Sequence, residues 1–574
     1  MPTLHPRHHI LLTFITFTLC LLYDFRTLHR SRAYHELQTA LCISNQTSHS
    51  QNRQNEKFRW SEVPHNYPIP KESLISLPRP LPRDGIPGIQ KGIERESREE
   101  KKERLRKLEV IRGNFSRAFI GYKGRAELRD GVGLVSRGDD GEGGWGVGLI
   151  DSLDTIWLMD LKEDFDTAIK SIFKIDFTTS PAKTINIFQT TTRILGGLLG
   201  AYDISHSLYP ELLEKAIEVG DMLCTAFDTP SHLPVPHLNF QSAKDWKKQD
   251  ESEGFMGVPE MASVTLEFTR LSQDRTKTPG LWPIGNATKG KVDSSETVEF
   301  GVGGEGGVYE GLMKGYILLG GGLQQYRKMY EYAMMAMRRN IFYRTMTTEN
   351  LVILFAGTVD TDGKTPVEDF VTEPRAKNLE CFAGGMVAMG AKIFGNDADL
   401  EIGRQLIEGC LWANEVMPPG IMPEIIHAVP CENKSNCTWQ EKKWHDAVNA
   451  SYNGSETVEE KIQMHGLAPG IAKVDDARSE AIQSLFILYR ITGDPKLRER
   501  AWTMFNTIMK HTTGIAHTAL DDVTILSQPK ADRMESFWMA ETLKYFYLIF
   551  EDPSIVSLDG YVFNTAAHPM RRPD

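Results

Sequence analysis

Along the chain, apolar residues recur at helical spacing in three paired blocks, and strand-like alternation between them is scarce. The first pair reads RILGGLLGAYDISHSLYPELLEKAIEVGDML from Arg193 to Leu223. The second reads CFAGGMVAMGAKIFGNDADLEIGRQLIEGCLWA from Cys381 to Ala413, and the third AIQSLFILYRITGDPKLRERAWTMFNTIMK from Ala481 to Lys510. Each joins an apolar helix containing small residues to an amphipathic helix through a short Gly, Asp or Pro turn. Repeated helical hairpins of this size predict an all-α fold, a solenoid or closed toroid of paired helices; an irregular helical domain is the alternative, since the pairs are unevenly spaced. The glycine pairs Gly196–Gly197 and Gly384–Gly385 would let helices approach closely, at some cost in helix propensity.

Upstream the pattern changes twice. Residues Ile10 to Phe25 form the strongest apolar run, and its uninterrupted part is shorter than the ~20 residues that usually span a bilayer. A cleaved signal peptide and a signal anchor both fit residues 1–25. Basic residues lie on both sides (Arg7 before; Arg26, Arg30 and Arg32 after), so the charge rule leaves the orientation open. Either reading sends the chain into the secretory pathway, to the ER or Golgi lumen, membrane-anchored if the segment persists and secreted if it is cleaved. Residues 26–107 carry seven prolines between Pro64 and Pro87, then the charged run ERESREEKKERLRK. Such a stretch reads as a stem, with the charged run as a solvated helix at most. Residues 108–574 are the expected globular body.

The 574 residues carry a formal charge of −11 and no basic run interleaved with aromatics, which speaks against nucleic acid as a partner. Seven asparagines lie in Asn-X-Ser/Thr sequons: Asn45, Asn114, Asn286, Asn433, Asn436, Asn449 and Asn453. Ordinary Ser and Thr abundance would place roughly two by chance, so a glycosylated lumenal protein is favoured. The four from 433 to 453 predict an exposed loop. Of the seven cysteines, five fall in the body, and spacing alone leaves disulfides and buried free thiols equally open.

Several polar residues on the helices could carry chemistry. Gln189 and Arg193 share a helix face, as do Glu480 and Gln483 at the start of the third apolar helix, beside Arg478. Glu260 and Glu267 are seven apart in PEMASVTLEF. Glu541 lies with Phe537 inside MESFWMAETLKYFYLIF, where a carboxylate is costly unless paired. The run GVGGEGGVYEG from Gly301 lacks the lysine of a phosphate loop and reads as a loop entering a helix near Val308. Zinc spacing, an EF-hand loop and a nucleophile elbow are absent from the sequence.

The blocks GGWGVGLIDSLDTIWLMDL, KIDF, NIFQTTTRILGGLLGAYDIS, VYEGLMKGY, SLFILYRITGDPK, MESFWMAETLKYFYLIF and SLDGYVFNTAAHP, in this order, resemble class I α-1,2-mannosidases, glycoside hydrolase family 47. The resemblance implies an (αα)7 barrel, a Ca2+ ion at its floor, and trimming of α-1,2-linked mannose from high-mannose N-glycans with inversion. It implies a disulfide between Cys381 and Cys410. It makes Glu480 the general base, gives Arg193, Glu260, Arg478, Phe537 and Glu541 to the sugar, and gives Thr565 to Ca2+ through its hydroxyl and carbonyl oxygens. It also exposes departures. Gln189 stands at the general-acid glutamate, Gly306 at an aspartate, Gly304 where an arginine can occur, Asn378 at a histidine, and Gln483 and Ala566 at glutamates. An inverting glycosidase needs both an acid and a base. The expectation is therefore a mannosidase with activity reduced or lost, the alternative being a lectin-like binder of high-mannose glycans; Glu305 is a poor substitute acid in so glycine-rich a loop.

Overall fold

The structure is a computed structural model that describes residues 58–68, 81–82, 85–92, 96–126, 143–230, 234–249, 298–300, 302, 307–361, 369–433, 436–475, 481–514, 517–518, 520, 523–524 and 534–572. The apolar run at 10–25 lies outside them, as do Glu260, Arg478, Glu480, Gly304, Glu305 and Gly306. Among the described residues no helix is long and apolar enough to cross a membrane.

Beside the helix Lys162–Ile172, eleven helices among the described residues build the ring and its surroundings. They are α1 (Arg98–Ala126), α2 (Gly196–Ile204), α3 (Pro210–Cys224), α4 (Val308–Leu318), α5 (Gln324–Asn340), α6 (Phe382–Phe394), α7 (Asp397–Val416), α8 (Glu441–Ser451), α9 (Ile482–Thr492), α10 (Pro495–Thr512) and α11 (Leu543–Phe550). The predicted hairpins form as α2/α3, α6/α7 and α9/α10, joined by α4/α5.

Composition decides which member of each pair faces inward. The apolar members α2, α4, α6, α9 and α11 are buried almost throughout, whereas α3, α5, α7 and α10 bury one stripe and expose the other. The inner helices follow one another in contact from α4 through α6 and α9 to α11. The short helix Leu153–Leu158 continues the ring from the start of α11 to α2. A β-hairpin of β4 (Tyr561–Phe563) and β5 (Pro569–Arg571) bridges the remaining side, β4 against α4 and β5 against α2. At the α6/α7 crossing a Cβ on Gly403 would lie 2.8 Å from the backbone of Gly384 and Ala388, so small residues set this spacing.

Outside the ring, β1 (Arg375–Lys377), β2 (Ile425–Ala428) and β3 (Ile471–Asp475) form an antiparallel sheet in the order β3–β2–β1. It belongs to a set of short strands that the helical periodicity did not announce.

Two stretches differ from expectation. Part of the expected stem is docked on the body. Trp60 is buried and donates its indole N–H to Phe177 O at 2.9 Å, and the fully buried Ile89 donates its N–H to Asp559 Oδ1 at 2.6 Å. The charged run opens α1, whose later residues Leu108, Ile111, Phe115 and Phe119 make a buried stripe while the helix packs on α11. Most of the charges are solvated, although Arg104 is covered and donates to Phe550 O at 2.9 Å, and the apolar stripe continuing beyond them supplies the area that holds the helix. The stretch 433–453, expected as a loop, contains α8, whose buried Trp444 donates to Ile471 O of β3 at 2.9 Å.

Candidate active site

Two π-helical turns, Thr190–Leu195 and Trp538–Thr542, flank one end of the ring. The first has a local cause. Thr190, Thr191 and Thr192 donate their hydroxyls to the carbonyls of Asn186, Ile187 and Phe188, at 2.7, 2.7 and 3.0 Å. Three successive hydroxyls competing for i−4 carbonyls loosen the α-helical ladder, and such wide turns recur at functional sites. Gln189 closes the short helix Ile187–Gln189 capped by the Asn186 side chain, and Arg193 lies in the π-turn.

The two turns meet through Arg193. Its guanidinium donates to Ser536 Oγ, stands 3.8 Å from Asp151 Oδ2, and lies 5.9 Å from the ring centre of Phe537. Ser536 in turn donates to Asp151. A fully buried charge cluster lies behind this pair. The His568 ring bridges Asp151 Oδ1 and Asp154 Oδ2 at 3.0 Å each, and Lys544 Nζ lies 2.9 Å from Asp154 Oδ2. Burial opposes charge on His568, yet the Asp154 carboxylate and the hydrogen bonds to both aspartates raise its pKa above the ordinary value. Burial likewise opposes charge on Asp154, but Lys544 and His568 hold its carboxyl below the usual range.

This cluster fixes the loop that carries Thr565. His568 donates its N–H to Asn564 Oδ1 at 2.8 Å, Asn564 Nδ2 donates to Thr192 O at 2.9 Å, and Lys544 donates to Ala567 O at 2.7 Å. Lys314 of α4 reaches Asn564 O at 3.3 Å. Thr565 is thus tied by its neighbours to the first π-turn, to α11 and to α4.

Thr565 and Glu541 line one cavity of about 70 Å³, together with Glu310, Gln483, Leu379 and Phe382. At its edge Glu310 accepts from Lys314 Nζ at 2.9 Å and from Gln483 Nε2 at 2.8 Å. The amide of Gln483 therefore spends a donor on a carboxylate, where a glutamate would have met like charge. Glu310 was missed by sequence reasoning, although a glutamate inside the apolar run VYEGLMKGYIL carries the same signal as Glu541.

Asn378 does not line this cavity; it is buried, with Nδ2 3.4 Å from Met422 O, and its neighbour Leu379 takes the cavity wall. Ala566 is buried too. Gln189 Oε1 is buried without a hydrogen-bond partner among the described residues. Cys381 and Cys410 form a disulfide joining the start of α6 to α7. A second disulfide, Cys431–Cys437, was not foreseen, and Cys224 is buried outside any disulfide.

Among the described residues no group of three His, Cys, Asp or Glu side chains could hold a metal. The oxygen chemistry of Thr565, Glu541 and Glu310 nonetheless suits a hard cation that keeps part of its water shell, and the cavity has room for several waters. These residues fit Ca2+.

The profile of Glycosyl hydrolase family 47 matches residues 114–274 and 272–572. This chain belongs to that family. It is 31% identical over 479 residues to the human endoplasmic reticulum mannosyl-oligosaccharide 1,2-alpha-mannosidase, covering 79% of this chain and 62% of that protein. It is 30% identical over 478 residues to a Candida albicans mannosyl-oligosaccharide 1,2-alpha-mannosidase, covering 75% of this chain and 76% of that protein. The fold matches that of an alpha-1,2-mannosidase from Trichoderma reesei with a TM-score of 0.68 at 24% identity, over 82% of this chain and 99% of the other. The ring of helix pairs is thus the (αα)7 barrel of this family.

Proposed function

We propose that this chain binds α-1,2-linked mannose of high-mannose N-glycans in the secretory lumen, and that its inverting hydrolysis of that linkage is reduced or lost. The relatives' names supply the substrate class, and the retained sugar residues support it: Arg193 beside Phe537, with Glu541 and Thr565 on one cavity. Glu260, Arg478 and the base Glu480 complete the set by sequence position. The chain spans 62% of the length of its human relative, so the transfer of activity rests on the barrel alone.

Inversion needs a base to take a proton from the attacking water and an acid to give one to the departing oxygen, about 6.5–9.5 Å apart. Glu480 supplies the first role. Gln189 at the second carries the reading: its amide can hold the glycosidic oxygen by a hydrogen bond but has no proton to transfer. General acid catalysis contributes typically ~10²–10⁴-fold, so turnover falls on that order while binding persists. Thr565 would hold Ca2+ through hydroxyl and carbonyl oxygens, with Glu541 and Glu310 facing its water shell. Bound there, the ion supplies positive charge against the hydroxyls of a terminal mannose.

The test incubates the purified protein with a high-mannose N-glycan and Ca2+, following mannose release and glycan binding together. Saturable binding is expected, with release about 10²-fold or more below that of a Gln189→Glu, Gly306→Asp variant. Wild-type release that the two substitutions do not raise would overturn the loss of the acid as the cause. Failure of both binding and release would overturn the sugar site itself.

A further inference from the structure

The five described sequon asparagines lie outside everything the sugar site uses, and the four whose hydroxyl residue is also described fall into two structural classes. Asn114 sits inside α1, next to the fully buried Phe115, and its Nδ2 donates to Val110 O at 2.9 Å. Asn449 sits in the last turns of α8; its Oδ1 accepts from the buried Lys461 at 2.9 Å, and its sequon hydroxyl, on Ser451, is committed to Ala447 O at 2.8 Å. At Asn114 the helix has claimed the acceptor nitrogen; Asn449 is exposed, and there the helix has claimed the sequon hydroxyl. Asn436 and Asn453 differ. Asn436 is exposed before α8, and the hydroxyl of Thr438, two residues on, points back to its amide oxygen at 3.5 Å. Asn453, Gly454 and Ser455 are all exposed just past the end of α8.

We propose that Asn436 and Asn453 are N-glycosylation sites and that Asn114 and Asn449 stay unmodified. Transfer needs an accessible Nδ2 and a hydroxyl two residues later free to meet the same amide, a turn-like geometry that a helix denies. The donor is a lipid-pyrophosphate-linked oligosaccharide of the secretory lumen. Nδ2 forms a bond to the anomeric carbon, the bond from that carbon to the pyrophosphate oxygen breaks, the lipid pyrophosphate leaves, and one Nδ2 proton passes to a base of the transferase. Both acceptors flank α8, whose inner face is held to β3 by Trp444, so the sugars extend from the outer ends of the arm. The disulfide Cys431–Cys437 ties the base of the Asn436 segment. A bulky polar group at either place displaces no buried side chain, whereas at Asn114 it would take the nitrogen from its helical carbonyl on a helix that packs on the body.

The inference rests on the lumenal placement in the reading above, not on mannose binding. The full chain is expressed in a eukaryotic cell with its own N-terminus, and the folded protein is released from its glycans by an amidase in heavy-oxygen water. Each sequon is then read by peptide mass, and disulfide Cys381–Cys410 by thiol labelling without reduction. Nearly complete labelling at Asn436 and Asn453, with background at Asn114 and Asn449, is expected; Thr438→Ala and Ser455→Ala should each abolish labelling at their own sequon alone. A formed disulfide with Asn436 and Asn453 bare, or with Asn114 or Asn449 occupied, overturns the assignment. A reduced disulfide with every sequon bare would show instead that the lumenal placement had failed, and the assignment with it.

Discussion

A carboxylic acid and its amide differ by one transferable proton, and on the function proposed above that difference at Gln189 separates a hydrolase from a binder. Its structural counterpart is the cluster Asp151, Asp154, Lys544 and His568, buried and mutually paired. Removing one member strands the others, so Lys544→Met should lower unfolding free energy by about 3–5 kcal/mol, read by urea titration. The cluster also sets a pH window. His568 is raised above 6.5, so its contribution is complete below that pH and lost as pH rises through its folded value. Asp154 is lowered below 3.8, so its contribution is complete above that pH and lost as pH falls through its folded value. The stability advantage of the wild type over His568→Gln should therefore shrink as pH rises above 6.5; an advantage independent of pH would refute the charged imidazole. Asp203 behaves oppositely to Asp154. Burial pushes its carboxyl from 3.8 up to about 6, against the Arg571 N–H and charge, so its ionisation costs stability as pH rises through that range. Asp203→Asn should gain about 1–3 kcal/mol at pH 8 and progressively less toward pH 4, in thermal or urea unfolding. Single residues of this kind are half legible in a sequence. Glu541 and Glu310 announce themselves as charges in apolar runs, whereas Asn378 gives no sign that its side chain turns into the fold.

Helices were the most legible elements, because burial of one stripe or of all sides writes a period into the sequence. The apolar partners α6, α9 and α11 could be picked out as the inner layer. What resisted was α1 and the segments before it, since a charged run and scattered prolines resemble an unattached stem until a surface is found to receive Trp60, Ile89 and Phe115. Trp60→Ala or Phe115→Ala should each cost about 3–5 kcal/mol, whereas a segment that hung free would tolerate both without a shift in the unfolding midpoint. The π-turn was also hidden: three threonines in a row weaken helix propensity, but only the structure shows their hydroxyls taking the i−4 carbonyls. Disulfide Cys381–Cys410 joins the inner helix α6 to its outer partner α7. Replacing both cysteines by serine should cost about 2–5 kcal/mol, measured against the oxidised wild type.

For the barrel as a unit, a ligand bound only by the folded form raises stability by mass action. Saturating Ca2+ should raise the thermal midpoint relative to chelator-treated protein, and Thr565→Ala, which removes the hydroxyl and keeps the carbonyl, should shrink that increment without unfolding the chain, since its neighbours Asn564 and His568 keep the loop pinned. An equal Ca2+ response in the variant would place the ion elsewhere. Seven ordered sequence blocks were enough to indicate an (αα)7 toroid and the family, because helix period, turn residues and the segments around a site are local and survive as short strings. The same strings put Gln189 at the position that the resemblance gives to the acid, since the identity of a proton donor is a property of one side chain. Which residues meet was another matter. The bridging of α2 and α4 by the β4–β5 hairpin, the clamp of His568 between two aspartates more than four hundred residues away along the chain, and the neutralisation of Glu310 by Lys314 and Gln483 arise from closure of the ring. Contacts across such separations depend on the summed packing of every helix between them, and no local period in the chain encodes that sum.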